Sequence, residues 1–175
     1  PTPGETETRR ERDQERSRKK SNERREVGPP NPPVDPARRE ACRSNFRLFC
    51  ETYLAEWFYL GWGPDHLKAI EKIEGSILRG ERFAFAMPRS SGKTTLCEAA
   101  ALWALLYEHR RFLLVIGAGA GHATDIMNEL KEELETSDLL DADFNEVTKY
   151  VRALEGIGQR ANGQTADGER TRIEW

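Results

Sequence analysis

The sequence has little of what a membrane, secreted or disulfide-bonded protein needs. Its 175 residues contain no run of about 18 apolar residues, the length that a spanning helix requires. The N-terminus reads PTPGETETRR, without the basic start and apolar stretch of a signal peptide. The three cysteines, Cys42, Cys50 and Cys97, are an odd number with no CxxC spacing and no paired histidine cluster. This pattern argues against a disulfide framework and a structural zinc site, and it predicts buried thiols.

Apolar side chains are also absent from the beginning of the chain. Residues 5–26 contain none, so a helix there would have nothing to bury, and we expect a disordered charged tail. Residues 27–36 (VGPPNPPVDP) carry five prolines, which favour an extended connector. We therefore expect a tail over residues 1–36 and a folded unit over residues 37–175. The net charge is −3, and acidic residues alternate with the arginines of the tail. Charge alone therefore favours a solvated tail over a nucleic-acid-binding arm.

Two helices are predicted before residue 80. Apolar residues from position 46 to position 58 recur at intervals of three and four, which places them on one helical face. A Gly-Trp-Gly-Pro break at 61–64 ends this helix, and Asp65 is the expected N-cap of a second one that Gly80 terminates. The apolar face of the second helix consists of Leu67, Ile70, Ile73 and Ile77.

Strand and helix patterns then alternate. Residues 82–87 (RFAFAM) and 111–117 have the length and apolar content of strands, and the aliphatic run FLLVI at 112–116 is typical of a buried parallel strand. Residues 96–107 predict a helix that is apolar on nearly all sides, and residues 123–134 predict an amphipathic helix. The order predicts an α/β fold: an incomplete parallel sheet of the P-loop NTPase type, preceded by N-terminal helices and the disordered charged tail.

The strongest chemical signal lies between the first predicted strand and the helix that follows it. Residues 90–95 read Ser-Ser-Gly-Lys-Thr-Thr, and backbone N–H groups at a helix N-terminus attract phosphate. Gly92 allows close approach of the main chain, Lys93 supplies a mobile ammonium for the β- and γ-phosphates, and the Thr94 hydroxyl suits Mg²⁺. A standard Walker A motif has glycine at position 87, where this chain has methionine followed by Pro88 and Arg89. Arg89 is a second cation in the loop and can neutralise charge on a γ-phosphate.

The segment Pro88–Thr95 resembles the deviant Walker A motif of the large subunit of tailed-phage terminases, the ATPases that package viral DNA. The helices before it, the run from Leu113 to Ala118 and the following His122-Ala123 are similar to the same family, so the resemblance covers about residues 42–175. It implies an N-terminal fragment of a terminase ATPase domain, encoded by a bacteriophage or prophage and located in the host cytoplasm, neither secreted nor membrane-bound.

The resemblance also implies ligands, partners and roles. ATP and Mg²⁺ would be the cofactors, bound by residues 89–95. Lys93 and Arg89 would be the catalytic residues and Thr94 the metal ligand, with Trp62 or His66 near the adenine. Double-stranded viral DNA, a portal protein and a small terminase subunit would be the partners.

A second carboxylate motif is missing from the sequence. The run at 112–116 ends in Gly117 instead of aspartate, and Leu139-Leu140-Asp141 lies in a polar context, so we find no Walker B motif. Asp141 and Glu174 are the residues that could replace it. We expect that the parent protein is an ATPase with a nuclease domain that this chain lacks. This chain alone should bind nucleotide with negligible hydrolysis.

Three alternatives remain from the residues themselves. The chain could belong to another P-loop NTPase or kinase, or it could be a nucleotide-binding remnant without catalytic activity. A dinucleotide-binding unit at residues 117–121 is the third, although His122 stands where that motif needs its last glycine.

Overall fold

A computed structural model describes residues 29–152 of the chain, and these residues form helices joined by turns and extended runs. Residues 1–28, which make up most of the predicted tail, lie outside the described residues. Residues 153–175, the end of the predicted folded unit, also lie outside them. Residues from Asn31 onward belong to one compact unit, to which the description below refers. The helices are α1 (Pro36–Cys42), α2 (Phe46–Tyr53), α3 (Pro64–Arg79), α4 (Lys93–Leu106), α5 (Ala120–Thr136), α6 (Asp138–Asp143) and α7 (Asn145–Arg152).

The helix ends follow local sequence chemistry. The side chain of Asn45 accepts a hydrogen bond from the Leu48 amide and caps α2. Helix α3 begins with Pro64 in its first turn, so Gly63 is the N-cap in place of the predicted Asp65. Gly80 ends α3 in the left-handed conformation, with φ of 77°, as its position after the last apolar residue predicted.

An aromatic cluster fills the core between α2, α4 and the segment joining α6 to α7. Phe46 lies with its ring centroid 5.3 Å from that of Trp103, and Tyr107 and Phe144 pack edge to face at 5.0 Å. All four side chains are buried. The predicted core helix at 46–58 is confirmed as far as Tyr53. Of the remaining apolar residues, Leu54 is the C-cap and is buried, and Trp57 and Phe58 pack against the core from the turn that follows.

Hydrogen bonds hold the proline-rich connector against α6. The Val34 amide donates to the Ala142 carbonyl at 2.9 Å, and the Asp35 amide donates to Asp143 Oδ1 at 2.9 Å. Asp143 also accepts from Arg38 and from the Tyr53 hydroxyl, both at 2.7 Å. Residues 31–35 are therefore non-helical, as predicted, but they are tied to α6 and α7.

The predicted parallel sheet is wrong for the part of the chain that the structure describes. Residues 82–87 and 111–117 adopt neither strand nor helix, and no backbone hydrogen bond joins them to each other. The side chains of the first run nevertheless alternate, since Phe83 and Phe85 stack with ring centroids 5.5 Å apart and face the helices. Alternation sets which side chains pack, but a sheet also requires a neighbouring ladder of hydrogen bonds.

The expectation of a buried strand at 112–116 is also wrong, because alternate side chains of this run are exposed. Phe112, Leu114 and Ile116 are 79%, 70% and 82% exposed, while Leu113 and Val115 are half-buried. One side of this run faces α3 and α4, and its other side is exposed.

Two other expectations concern burial and membranes. Cys42 and Cys50 are buried as predicted, whereas Cys97 is exposed on α4. Among the helices of residues 29–152, none combines the length and apolar content needed to cross a bilayer.

Candidate functional site

The loop before α4 has an unusual backbone. Ser90 has φ of 60° and Gly92 has φ of 72°, so two left-handed residues flank Ser91. This region is uncommon for residues other than glycine, so Ser90 is a strained position of the loop. A Cβ atom on Gly92 would meet nothing within 4 Å, so glycine is needed for its backbone conformation and not for space.

The first turn of α4 presents unused amide groups. Gly92 is the N-cap and offers no side chain to accept a hydrogen bond. The N–H groups of Lys93, Thr94 and Thr95 have no backbone partner among the described residues, because the first intrahelical bond is made by Leu96. These groups carry the positive end of the helix dipole, the arrangement that binds phosphate and other anions.

The Lys93 ammonium folds back onto its own loop. Its Nζ donates to the Met87 carbonyl at 2.8 Å and to the Pro88 carbonyl at 2.5 Å. These bonds hold the end of the 82–87 run against the start of α4. A phosphate bound at the helix N-terminus would compete with both carbonyls for the same ammonium group.

The other predicted loop residues differ in their exposure. Arg89 and Thr94 are exposed, and Arg89 makes no ion pair with any described residue. The Ser91 hydroxyl oxygen is buried and finds no hydrogen-bond partner within the described part of the chain. The predicted site residues at 89–95 are consecutive, and the structure places them in the loop and the first turn of α4.

His66 and Trp62 lie next to this loop. Nε2 of His66 is 2.9 Å from the Ser91 carbonyl oxygen, and its Nδ1 is 3.2 Å from the Gly63 amide nitrogen. The Trp62 ring centroid lies 6.3 Å from that of His66. The Trp62 indole N–H donates to Glu51 at 2.7 Å, which fixes the indole on α2. The contact of His66 with Ser91 could not be predicted from the spacing of these residues.

Asp141, a carboxylate that could replace the Walker B residue, already has partners within the protein. Asp141 accepts from Asn145 at 3.0 Å and from Thr148 at 2.5 Å, and it pairs with Arg152 at 3.3 Å. These contacts join α6 to α7. The other candidate, Glu174, lies outside the described residues.

A buried carboxylate on α4 is the polar feature that sequence reasoning missed. Glu98 is 4% exposed, and its Oε1 has no partner within residues 29–152. Burial, and then the nearby Glu129 carboxylate on α5, raise the pKa of Glu98 to about 7. Its position within the apolar stretch LCEAAALWALL is the signal that could have revealed it.

An apolar cleft of about 340 Å³ opens between the two extended runs. Its floor is formed by α3 and α4 and its walls by Phe83 and by residues 113–116. The exposed sulfur-bearing residue Cys97 also lines it. The cleft contains no residue of the 89–95 loop, so it is a separate feature of the surface.

A magnesium ion at the loop would depend on Thr94. No three His, Cys, Asp or Glu side chains cluster as a metal site among residues 29–152. Mg²⁺ bound with nucleotides takes few protein ligands, because phosphate oxygens and water complete its shell. The exposed Thr94 hydroxyl fits that requirement.

The comparisons with known proteins give no further information about this site. No family model, no curated protein and no solved structure matches the chain.

Proposed function

We propose that residues 89–95 bind the triphosphate of ATP together with Mg²⁺, at the N-terminus of α4. The observation that carries the proposal is the coincidence of unpartnered amides at Lys93, Thr94 and Thr95 with two cationic side chains in the same loop. A neutral ligand would bind the amides but would gain no electrostatic attraction from the positive charges of Lys93 and Arg89.

Each residue has a distinct task in this proposal. The amides of the first turn hold phosphate oxygens, and the Lys93 ammonium moves from the Met87 and Pro88 carbonyls to the β- and γ-phosphates. Arg89, free of ion pairs with described residues, neutralises charge on the γ-phosphate. Thr94 would hold Mg²⁺, which neutralises phosphate charge and orients the phosphate oxygens when bound.

We further propose that this site is the ATP-binding part of a viral DNA-packaging terminase large subunit. Support comes from the likeness of Pro88–Thr95 to the deviant Walker A motif of that family, in which proline and arginine follow the position of the missing glycine. Double-stranded DNA, a portal protein and a small subunit are the partners that this proposal implies. Asp141 is bound within the α6–α7 contact, which favours nucleotide binding without turnover by this chain.

Calorimetric titration with Mg²⁺ and ATP tests the site. Lys93→Ala should weaken binding by about ten- to a hundred-fold, because one or two charge-assisted hydrogen bonds are lost. Lys72→Ala is the matched control, since Lys72 is an exposed lysine of α3, and it should leave the affinity unchanged. Equal affinities for the two variants would refute a phosphate site at this loop.

A phosphate-release assay with the same variants tests the absence of turnover. We expect no release that depends on Lys93. Substantial Lys93-dependent release would show that a carboxylate of this chain replaces the Walker B residue.

A further inference from the structure

His66 joins the start of α3 to the candidate phosphate loop through both of its ring nitrogens. Nδ1 faces the Gly63 amide at 3.2 Å and Nε2 faces the Ser91 carbonyl at 2.9 Å. An amide N–H only donates and a carbonyl only accepts, so Nδ1 must accept and Nε2 must carry the proton. Only the neutral Nε2–H tautomer satisfies both contacts. The other neutral tautomer would turn two lone pairs toward each other at Ser91.

The orientation of the Ser91 carbonyl determines the direction of the Gly92 N–H. The carbonyl of Ser91 and the N–H of Gly92 belong to one planar trans peptide group, in which the two bonds point in opposite directions. Because His66 holds the carbonyl on the α3 side, the Gly92 N–H is directed away from α3. Gly92, at φ of 72°, is free to adopt many backbone conformations, so its own backbone does not fix the orientation of this peptide and the contact with His66 restrains it.

We infer that His66 is a positioning residue that fixes the Ser91–Gly92 peptide and so directs the Gly92 amide toward a bound phosphate. The inference rests on the proposed function of the 89–95 loop. It assigns His66 a task on the loop backbone, in place of the contact with adenine that the family resemblance implied. The nearby Trp62 supports the ring from one side, with the two ring planes inclined at 68°.

Two substitutions separate the two contacts of the ring. In His66→Asn the short side chain places an amide oxygen near the position of Nδ1, so the Gly63 contact is kept and the Ser91 contact is lost. In His66→Gln the longer side chain places an amide nitrogen near the position of Nε2, so a donor to Ser91 is kept and the Gly63 contact is lost. A role limited to capping α3 would make His66→Gln the worse variant, whereas a role on the loop makes His66→Asn the worse one.

The first measurement is the affinity for Mg²⁺-ATP by calorimetry. His66→Asn should bind roughly two- to ten-fold more weakly than the unsubstituted chain, the range for one neutral hydrogen bond, and His66→Gln should recover most of that loss. Equal affinities for the two variants, in a chain whose ATP binding depends on Lys93, would overturn the inference about His66 and leave the proposed function standing.

The second measurement needs no nucleotide. Nitrogen chemical shifts of the imidazole should report the Nε2–H tautomer, and hydrogen exchange of the Gly92 amide should be faster in His66→Asn than in His66→Gln. The opposite tautomer, or equal exchange rates, would overturn the inference. Failure of the unsubstituted chain to bind ATP would overturn both the proposed function and the role of His66 in it.

Discussion

At the scale of single residues, the loop before α4 depends on backbone conformations that few amino acids tolerate. Gly92 has φ of 72° with open space where a side chain would point, so its replacement is opposed by backbone strain alone. Gly119 offers the natural comparison, because its φ is −163° and the space around it is also open. Extended backbone of that kind accepts any residue.

We predict that Gly92→Ala lowers the free energy of unfolding by about 1 kcal/mol, the usual penalty for a left-handed non-glycine residue. Gly119→Ala should cost less, because Gly119 is likewise the N-cap of a helix but is not left-handed. Urea denaturation of both variants provides the measurement. If the two substitutions had the same effect, strain at Gly92 would not be a property of the loop.

Glu98 gives a residue-scale prediction about pH. Its folded pKa is raised to about 7 from an ordinary value of 4.5, so the ionised form is disfavoured in the folded state. The penalty is absent below pH 4.5, grows as the pH rises from 4.5 to 7, and is complete above pH 7. We therefore expect Glu98→Gln to raise the melting temperature at pH 8 and to have little effect at pH 4.

Glu132→Gln, which changes an exposed glutamate of α5, is the control for this comparison and should give a similar small change at both pH values. A Glu98→Gln variant that is less stable than the unsubstituted chain at pH 8 would mean that the buried carboxylate has a stabilising partner.

At the scale of secondary structure elements, a single aspartate ties the connector to the helical unit. Asp143 is fully buried and accepts hydrogen bonds from the Asp35 amide, Arg38 and the Tyr53 hydroxyl. It thereby links residues 35–38, α2 and α6. Burial alone would raise the pKa of Asp143, but its hydrogen bonds with Arg38, the Asp35 amide and Tyr53 lower it overall.

We predict that Asp143→Ala destabilises the protein by about 2 to 3 kcal/mol. The loss includes three hydrogen bonds and leaves the buried Tyr53 hydroxyl without its acceptor. Asp138→Ala, which removes a 99% exposed partner of Arg152, should cost less than about 0.5 kcal/mol. Thermal unfolding of the two variants checks this, and similar melting temperatures would contradict the anchoring role of Asp143.

At the scale of the whole molecule, the helices are packed on one side of two extended runs whose other side is exposed. Leu114 is 70% exposed, while its neighbour Leu113 is half-buried and packs against the helical core. Adjacent residues of one run therefore have opposite environments.

We predict that Leu114→Ser changes the free energy of unfolding by less than about 0.5 kcal/mol but reduces binding of a hydrophobic dye and light scattering at high concentration. Leu113→Ser should instead destabilise the protein by about 1 to 2 kcal/mol, because it removes apolar surface that packs against the core. Equal stability losses would show that the run is covered on both sides.

The sequence alone determined the features that depend on neighbours along the chain. Helical spacing from Phe46 to Tyr53, Gly80 at the end of α3 and the Gly-Lys-Thr start of α4 were all predictable, because caps and amphipathic faces are set by residues within one or two turns.

Features that need a distant partner depend on tertiary packing. The length and apolar content of residues 82–87 and 111–117 predicted strands, but a sheet exists only where two such runs hydrogen-bond, and these do not pair. The contact of His66 with Ser91, the burial of Glu98 against α5 and the three hydrogen bonds of Asp143 likewise join residues far apart in sequence. Local periodicity does not indicate which distant residues will contact each other, because the tertiary structure determines those contacts.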